Sequence, residues 1–147
     1  TIIESMAQYN SEKLKMLLDG CYESVRYIDK DIVAVTRPVD IRYSNKIYKM
    51  GRYLVRIGSN TSLHGIDNPA TSDRIVHPHY SGSFCFGDQN TLYSTARQVG
   101  DHLGELLLIW QLLNSYSPDH PFARLSQWDD LAVEDKEAQN ATVPRGS

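Results

Sequence analysis

The sequence predicts an α+β fold, with an N-terminal helix, an antiparallel β-meander of about four strands, an active-site loop and a long central helix. Three observations predict it. Apolar residues follow a helical spacing near the N-terminus and again over residues 92–113, and β-branched and aromatic residues cluster in short segments between polar turns. At 147 residues and 41% hydrophobic, the chain suits one domain, which we assign to residues 1–142.

The first element is a helix from Ile2 to Leu18. Its apolar residues alternate with Glu, Gln and Lys in a roughly helical pattern, and Asp19-Gly20 stops it. An amphipathic helix of this kind packs its apolar face on a sheet. The alternative is a docking helix for a partner protein.

Strands are predicted at Tyr22–Ile28 and Ile32–Thr36, on either side of a short polar turn. The pattern resumes at Ile41–Tyr43, and Arg52–Ile57 alternates as a further strand. From Gly58 to Ser72 the composition turns to Gly, Ser, Asn, Asp and Pro, which predicts a long irregular loop.

The central helix is predicted from seven apolar residues spaced 4, 3, 4, 3, 4 and 3 apart, which map one continuous face. They are Leu92, Ala96, Val99, Leu103, Leu106, Trp110 and Leu113. Two prolines, Pro118 and Pro121, then force an extended turn. One more amphipathic helix is predicted within Ala123–Ala138, around Trp128.

Charge and composition exclude several classes of function. The formal net charge of −3 gives no global electrostatic case for binding nucleic acid or an anionic membrane surface, and it leaves a local basic patch open. The longest apolar run, Leu106–Trp110, is far below the roughly 20 residues that span a bilayer. Cys21 and Cys85 are the only cysteines and no signal core is present, so we expect a cytoplasmic protein. Residues 143–147 read as the remnant of a protease-cleavable tag.

The segment most suggestive of chemistry is His77–Asp88, which gathers two histidines, a cysteine and an acid into twelve residues. A thiol becomes a useful nucleophile when a base, a positive field or a metal lies close to it. In the simplest alternative Cys85, flanked by Phe84 and Phe86, is a small buried hydrophobic residue.

Two further chemical interpretations remain open. His77, His79 and Cys85 offer three metal ligands, with His120 or His64 as a fourth. A self-contained cysteine hydrolase would instead use Cys85 with His79.

The order of five short segments resembles the ubiquitin-conjugating enzyme family. The family's Tyr-x-Gly-Gly, His-Pro-Asn, Gly-x-Ile-Cys-Leu, Trp-x-Pro-Ala and Pro-Asp-Asp-Pro patterns have counterparts in the same order. These are Tyr48–Gly51, His77–His79, Gly82–Phe86, Tyr93–Ala96 and Pro118–Pro121. The chain looks like a compact, divergent relative of the kind found in bacteria and their phages.

This resemblance implies transthiolation without a cofactor. Cys85 would take the acyl group of a ubiquitin-like carrier protein from an activating enzyme and pass it to a protein substrate. The resemblance makes Cys85 the nucleophile. His79 stands in the place of the family's asparagine, as an oxyanion or loop-ordering residue, and His120 stands in the place of an acid, as a candidate base.

Four more residues would support the site: His77, Tyr80, Asp88 and Asp119. The two histidine substitutions also leave a non-enzymatic alternative open. In it, the chain keeps the fold as a catalytically inactive binding module and presents the N-terminal helix or residues 58–72 to a protein partner.

Overall fold

The N-terminal helix α1 (Ile2–Gly20) packs against the first strand and against the last helix. The computed structural model describes residues 2–68 and 75–137, and for residues 2–9 it describes the backbone alone. The side chains that form the apolar pattern of the first nine residues therefore lie outside the described part, as do residues 143–147. Leu17 is fully buried, and its carbonyl accepts a hydrogen bond from the amide of Cys21. The predicted N-terminal helix is confirmed.

Four antiparallel strands form the larger sheet, in the order β1 (Tyr22–Ile28), β2 (Asp31–Thr36), β5 (Tyr53–Ile57) and β6 (Thr61–Gly65). The β1–β2 connection is a tight turn in which Asp29 and Lys30 have φ of 50° and 70°. Two successive left-handed residues match the twist of a hairpin, and this explains the short polar connection.

A second, three-stranded sheet pairs β3 (Val39–Tyr43) and β4 (Lys46–Gly51) with the late strand β7 (Ala132–Glu134). Antiparallel strands are therefore confirmed, but the prediction of one meander is wrong. The β3–β4 hairpin is inserted between β2 and β5 and leaves the first sheet. Its inward-facing Val39, Ile41 and Met50 are fully buried.

The irregular loop predicted from Gly58 to Ser72 is also wrong in part, because β6 lies within it. Leu63 is the one buried residue of this five-residue edge strand. An edge strand that buries so little carries almost no alternating pattern, and backbone pairing with β5 holds it in place.

The predicted continuous helix over residues 92–113 is two helices, α2 (Asn90–Val99) and α3 (His102–Leu113). Gly100 ends α2 in the left-handed region, with a φ of 73°. The side chain of Asp101 then caps α3 by accepting a hydrogen bond from the amide of Gly104 at 3.0 Å.

The break turns part of the predicted apolar face outward. Leu92 and Val99 are 57% and 71% exposed, whereas Leu106, Ile109 and Leu113 of α3 are fully buried. The hydroxyl of Tyr22 donates to the Leu106 carbonyl and joins β1 to α3. α3 is the central helix that the sequence predicts.

The predicted helix within Ala123–Ala138 is confirmed only in part, as a short 3-10 helix around Trp128 and not as an amphipathic α-helix. The chain forms a 3-10 helix, Leu125–Leu131, and then β7; residue 138 lies outside the described part. Trp128 interrupts the 3-10 helix with φ −111° and ψ 23°, and its side chain is buried. Residues 132–134 pair with β4 as a strand, so the 3-10 helix does not continue beyond Leu131.

A buried polar network fixes α2 against α3. The fully buried carboxylate of Glu105 accepts hydrogen bonds from Tyr93 at 3.2 Å, Arg97 at 3.3 Å and His102 Nδ1 at 3.0 Å. Arg97 also donates to the carbonyls of residues 58 and 59, both at 3.0 Å. A buried carboxylate is stable only with such partners.

No helix in the described part of the chain has the length and hydropathy that a bilayer crossing needs.

Candidate active site

The candidate site begins with the segment from His77 to Phe86, which folds back on itself through its backbone. The amide of Tyr80 donates to the His77 carbonyl at 3.1 Å, and the amide of Cys85 donates to the His79 carbonyl at 3.0 Å. Short bridges also pair Tyr80 with His77 and with Phe84. These bonds hold Cys85 close in space to the histidine segment.

His77 lies beneath the site and is fully buried. Its Nε2–H donates to the Leu113 carbonyl at 2.8 Å, and its Nδ1 accepts the amide of His79 at 3.1 Å. Because a carbonyl can only accept and an amide can only donate, the partners fix the tautomer. Burial lowers the pKa of His77 to about 3. Both ring nitrogens are therefore used by the backbone, and neither is free to bind a metal or move a proton.

His79 connects the loop to the segment that follows α3. Its Nε2 accepts a hydrogen bond from the amide of Ser117 at 2.9 Å, and its ring lies 5.6 Å from that of Tyr116. This contact leaves the proton of the neutral ring on Nδ1. Burial lowers the pKa of His79. The geometry is that of a residue that orders the loop.

Cys85 opens into a cavity of about 400 Å³ that two distant segments of the chain line. The lining residues are His79, Cys85, Phe86, Gly87, Asp88, Gln89, Leu112, Ser115, Tyr116, Ser117, Asp119 and His120. Five sequence-predicted site residues thus meet around one space: Cys85, His79, His120, Asp88 and Asp119. His77 and Tyr80 do not line the cavity.

The surroundings of Cys85 argue against the interpretation as a buried hydrophobic residue. Cys85 is partly exposed, whereas Cys21 is buried. The ring of Phe86, the next residue, stacks on Tyr93 at 4.2 Å and 23°, and its amide donates to Asn90 Oδ1 at 3.2 Å. Because Tyr93 also bonds Glu105, the buried network supports the backbone beside the thiol.

Tyr80 lies at the edge of this arrangement. Its ring packs against Phe84 with centroids 4.8 Å apart. We therefore place it as a support of the loop.

The sequence reasoning singled out five of the twelve lining residues, and among those it missed are Tyr116 and Ser117, which both contact His79. Ser117 acts through its backbone amide, which every residue but proline has, so its type gives no signal. The signal that could have found them is their position directly before the Pro118–Pro121 turn, which carries the predicted site residues Asp119 and His120.

The metal interpretation finds no geometric support. Within residues 2–68 and 75–137, no group of three or more His, Cys, Asp or Glu side chains is placed to hold a metal ion. Both ring nitrogens of His77 form hydrogen bonds with backbone groups. His64 is exposed on β6 and does not line the cavity of Cys85.

Comparisons with family models, with curated proteins and with solved structures found no match for this chain. Function is therefore inferred from the cavity and its residues.

Proposed function

We propose that the protein is a conjugating enzyme that carries the acyl group of a ubiquitin-like protein as a thioester on Cys85. One observation carries the proposal. The partly exposed Cys85 shares a cavity with His120 and Asp119, which come from a turn far along the chain, and with His79.

The reaction needs no oxidant and no cofactor. The Cys85 thiolate attacks the carbonyl carbon of the thioester on the activating enzyme, a new C–S bond forms, and the enzyme's cysteine leaves as a thiolate. A substrate amine then attacks acyl-Cys85. The amine loses one proton to a base, and the Cys85 thiolate leaves.

His120 is the base that we assign to the second step. It is exposed and lines the cavity beside Asp119, and an imidazole nitrogen can accept a proton from an attacking amine. His79 cannot take this role while its Nε2 accepts the amide of Ser117. We assign His79 to ordering the loop and to offering its Nδ1–H to the oxyanion.

The second candidate is a catalytically inactive binding module. The specific observation in its favour is that His77 and His79 both use ring nitrogens to bind backbone groups, as structural histidines do. Both candidates need the same fold, so only chemistry at Cys85 separates them.

The test is to incubate the protein with ATP, an activating enzyme and a ubiquitin-like carrier. We expect an adduct that a thiol reductant removes, that Cys85→Ser converts to a stable ester and that Cys85→Ala abolishes. Cys21→Ala is the matched control, because it removes the other, buried cysteine. An adduct that survives in Cys85→Ala contradicts the proposal. A charged activating enzyme that gives the parent protein no adduct favours the binding module.

The role of His120 is tested separately, by discharge of the preformed thioester to free lysine. His120→Gln should charge normally and discharge about 10²-fold more slowly or worse, which is the usual contribution of a general base. His64→Gln, at the exposed position of β6, is the matched control. Equal discharge rates for the two variants would remove His120 from the mechanism.

A further inference from the structure

A second groove, of about 330 Å³, adjoins the cavity of Cys85. Tyr116 lines both spaces, so the two are neighbours that share one side chain. The residues of the groove that matter here are three tyrosines and three charged residues: Tyr43, Tyr48, Tyr116, Lys46, Arg124 and Asp129.

The described lining residues of this groove carry more positive than negative charge, with Lys46 and Arg124 against Asp129. Neither Lys46 nor Arg124 forms an ion pair with another described residue, whereas Arg42, Arg52 and Arg97 all pair with carboxylates. Asp129 is the one acid among the described lining residues, and it accepts the hydroxyl of Tyr48 at 3.0 Å.

Glu134 is the nearest competing acid that the strand register identifies. It lies opposite Lys46 across β4 and β7, without an ion pair between the described side chains. Within the groove lining, two cations and the hydroxyl groups of Ser44 and Ser126 therefore accompany one carboxylate, which already accepts a hydrogen bond from Tyr48. This combination suits a ligand that brings a carboxylate of its own.

The walls of the groove are held in place before any ligand arrives. Ser44 and Asn45 form a tight β3–β4 turn with φ of 52° and 61°, and the Asn45 carbonyl accepts the amide of Asp135 at 2.9 Å. The ring of Tyr43 meets Tyr116 edge-on, with centroids 4.9 Å apart. A preformed groove loses little conformational entropy when a peptide binds.

We propose that this groove binds an acidic, extended segment of the carrier's tail, just before the C-terminal glycine that reacts with Cys85. Lys46 and Arg124 pair with the acidic side chains, and the tyrosine rings pack along the peptide. The tail is favoured over the acceptor because His120, which takes the acceptor's proton, does not line this groove; it lines the cavity of Cys85 and a neighbouring cavity that shares Pro118 and Arg124 with the groove. The identity of the peptide as a carrier tail rests on the proposed function, but its binding does not require the reaction.

The experiment uses the full chain with Cys85→Ala, so that no thioester can form. Synthetic ten-residue peptides are titrated into the ¹⁵N-labelled protein at low salt, and amide shifts report binding. One peptide ends in Gly-Gly after three glutamates, a second has glutamines in their place, and a third places the glutamates around an internal lysine. The charge-reversed double variant K46E/R124E is compared with K15E/R26E, which changes the net charge equally at exposed positions outside the groove.

We expect the acidic Gly-Gly peptide to bind at least about 10-fold more tightly than the glutamine peptide and to shift the amides around Tyr43 and Tyr116. That preference should be lost in K46E/R124E and kept within roughly twofold in K15E/R26E. Equal binding of the acidic and glutamine peptides, equal losses in both double variants, or binding of only the lysine-centred peptide would each overturn the proposal. Because Cys85 is absent, these outcomes are independent of whether the thioester forms.

Discussion

The backbone amide of Ser117 donates a hydrogen bond to Nε2 of His79 over 2.9 Å. This bond joins the segment after α3 to the loop that carries Cys85, whose own amide binds the carbonyl of His79. Burial and this donor both favour the neutral ring with its proton on Nδ1.

The first prediction is that nuclear magnetic resonance finds His79 as the Nδ1–H tautomer with a pKa below 6.5. Tyr116→Ala, which removes the ring beside His79, should raise that pKa toward 6.5. A proton on Nε2 at neutral pH, or a pKa above 6.5, would show that the Ser117 contact does not hold in solution.

The second prediction concerns His77 and the pH dependence of stability. Burial lowers its pKa from 6.5 to about 3. Between these two pH values His77 is protonated in the unfolded chain and neutral in the folded chain. Stability is therefore complete above pH 6.5 and falls as the pH decreases toward 3, with a slope approaching about 1.4 kcal/mol per pH unit.

Urea unfolding between pH 7 and pH 5 measures that slope before the carboxylates titrate. His77→Gln should be less stable at pH 7 and should have a flatter pH profile. His64→Gln, an exposed histidine substitution, should keep the parent's profile. If His77→Gln kept the parent's slope, another group would be responsible for it.

The third prediction tests the break between α2 and α3. Gly100 has a φ of 73°, which a residue with a Cβ adopts at a cost, so Gly100→Ala should lower the free energy of unfolding by about 1 kcal/mol. Gly20 ends α1 with open space around it, and Gly20→Ala should be neutral or slightly stabilising. A stabilising Gly100→Ala would indicate one continuous helix instead.

The fourth prediction compares the two thiols. Cys21 is buried and burial raises its pKa, so little of it is the reactive thiolate. Cys85 is partly exposed on its cavity. Iodoacetamide at neutral pH should therefore alkylate Cys85 at least about 10-fold faster than Cys21, as peptide mass spectrometry can measure. Equal rates would mean that the cavity does not admit solvent to Cys85.

Alternating apolar residues made many of the strands predictable from the sequence. Segments such as Tyr53–Ile57, with alternate residues fully or almost fully buried, gave strands at the right places. The helix break was missed because the apolar spacing runs unchanged across Gly100, and only the Gly-Asp pair signals a cap followed by a new start. The second sheet is completed by β7, which joins β4 from the far end of the chain. Local patterns do not specify such a distant partner.

The site was predictable to the extent that its chemistry resides in side chains. Cys85, His79 and His120 were selected by type and order, and they line one cavity. Ser117 acts through its backbone, and Glu105 reaches Arg97 across the helix break, so the usual one-turn spacing rule does not connect them.

The central claim is that an acyl group resides on Cys85, and the most direct measurement is to locate that bond. Cys85→Ser is charged with the carrier, digested with trypsin and sequenced by tandem mass spectrometry, with the parent protein analysed in parallel under non-reducing conditions. We predict the carrier's terminal glycine on residue 85 in both proteins, with Cys21 unmodified. A carrier remnant on Cys21 or on a lysine, with residue 85 unmodified, would contradict the assignment.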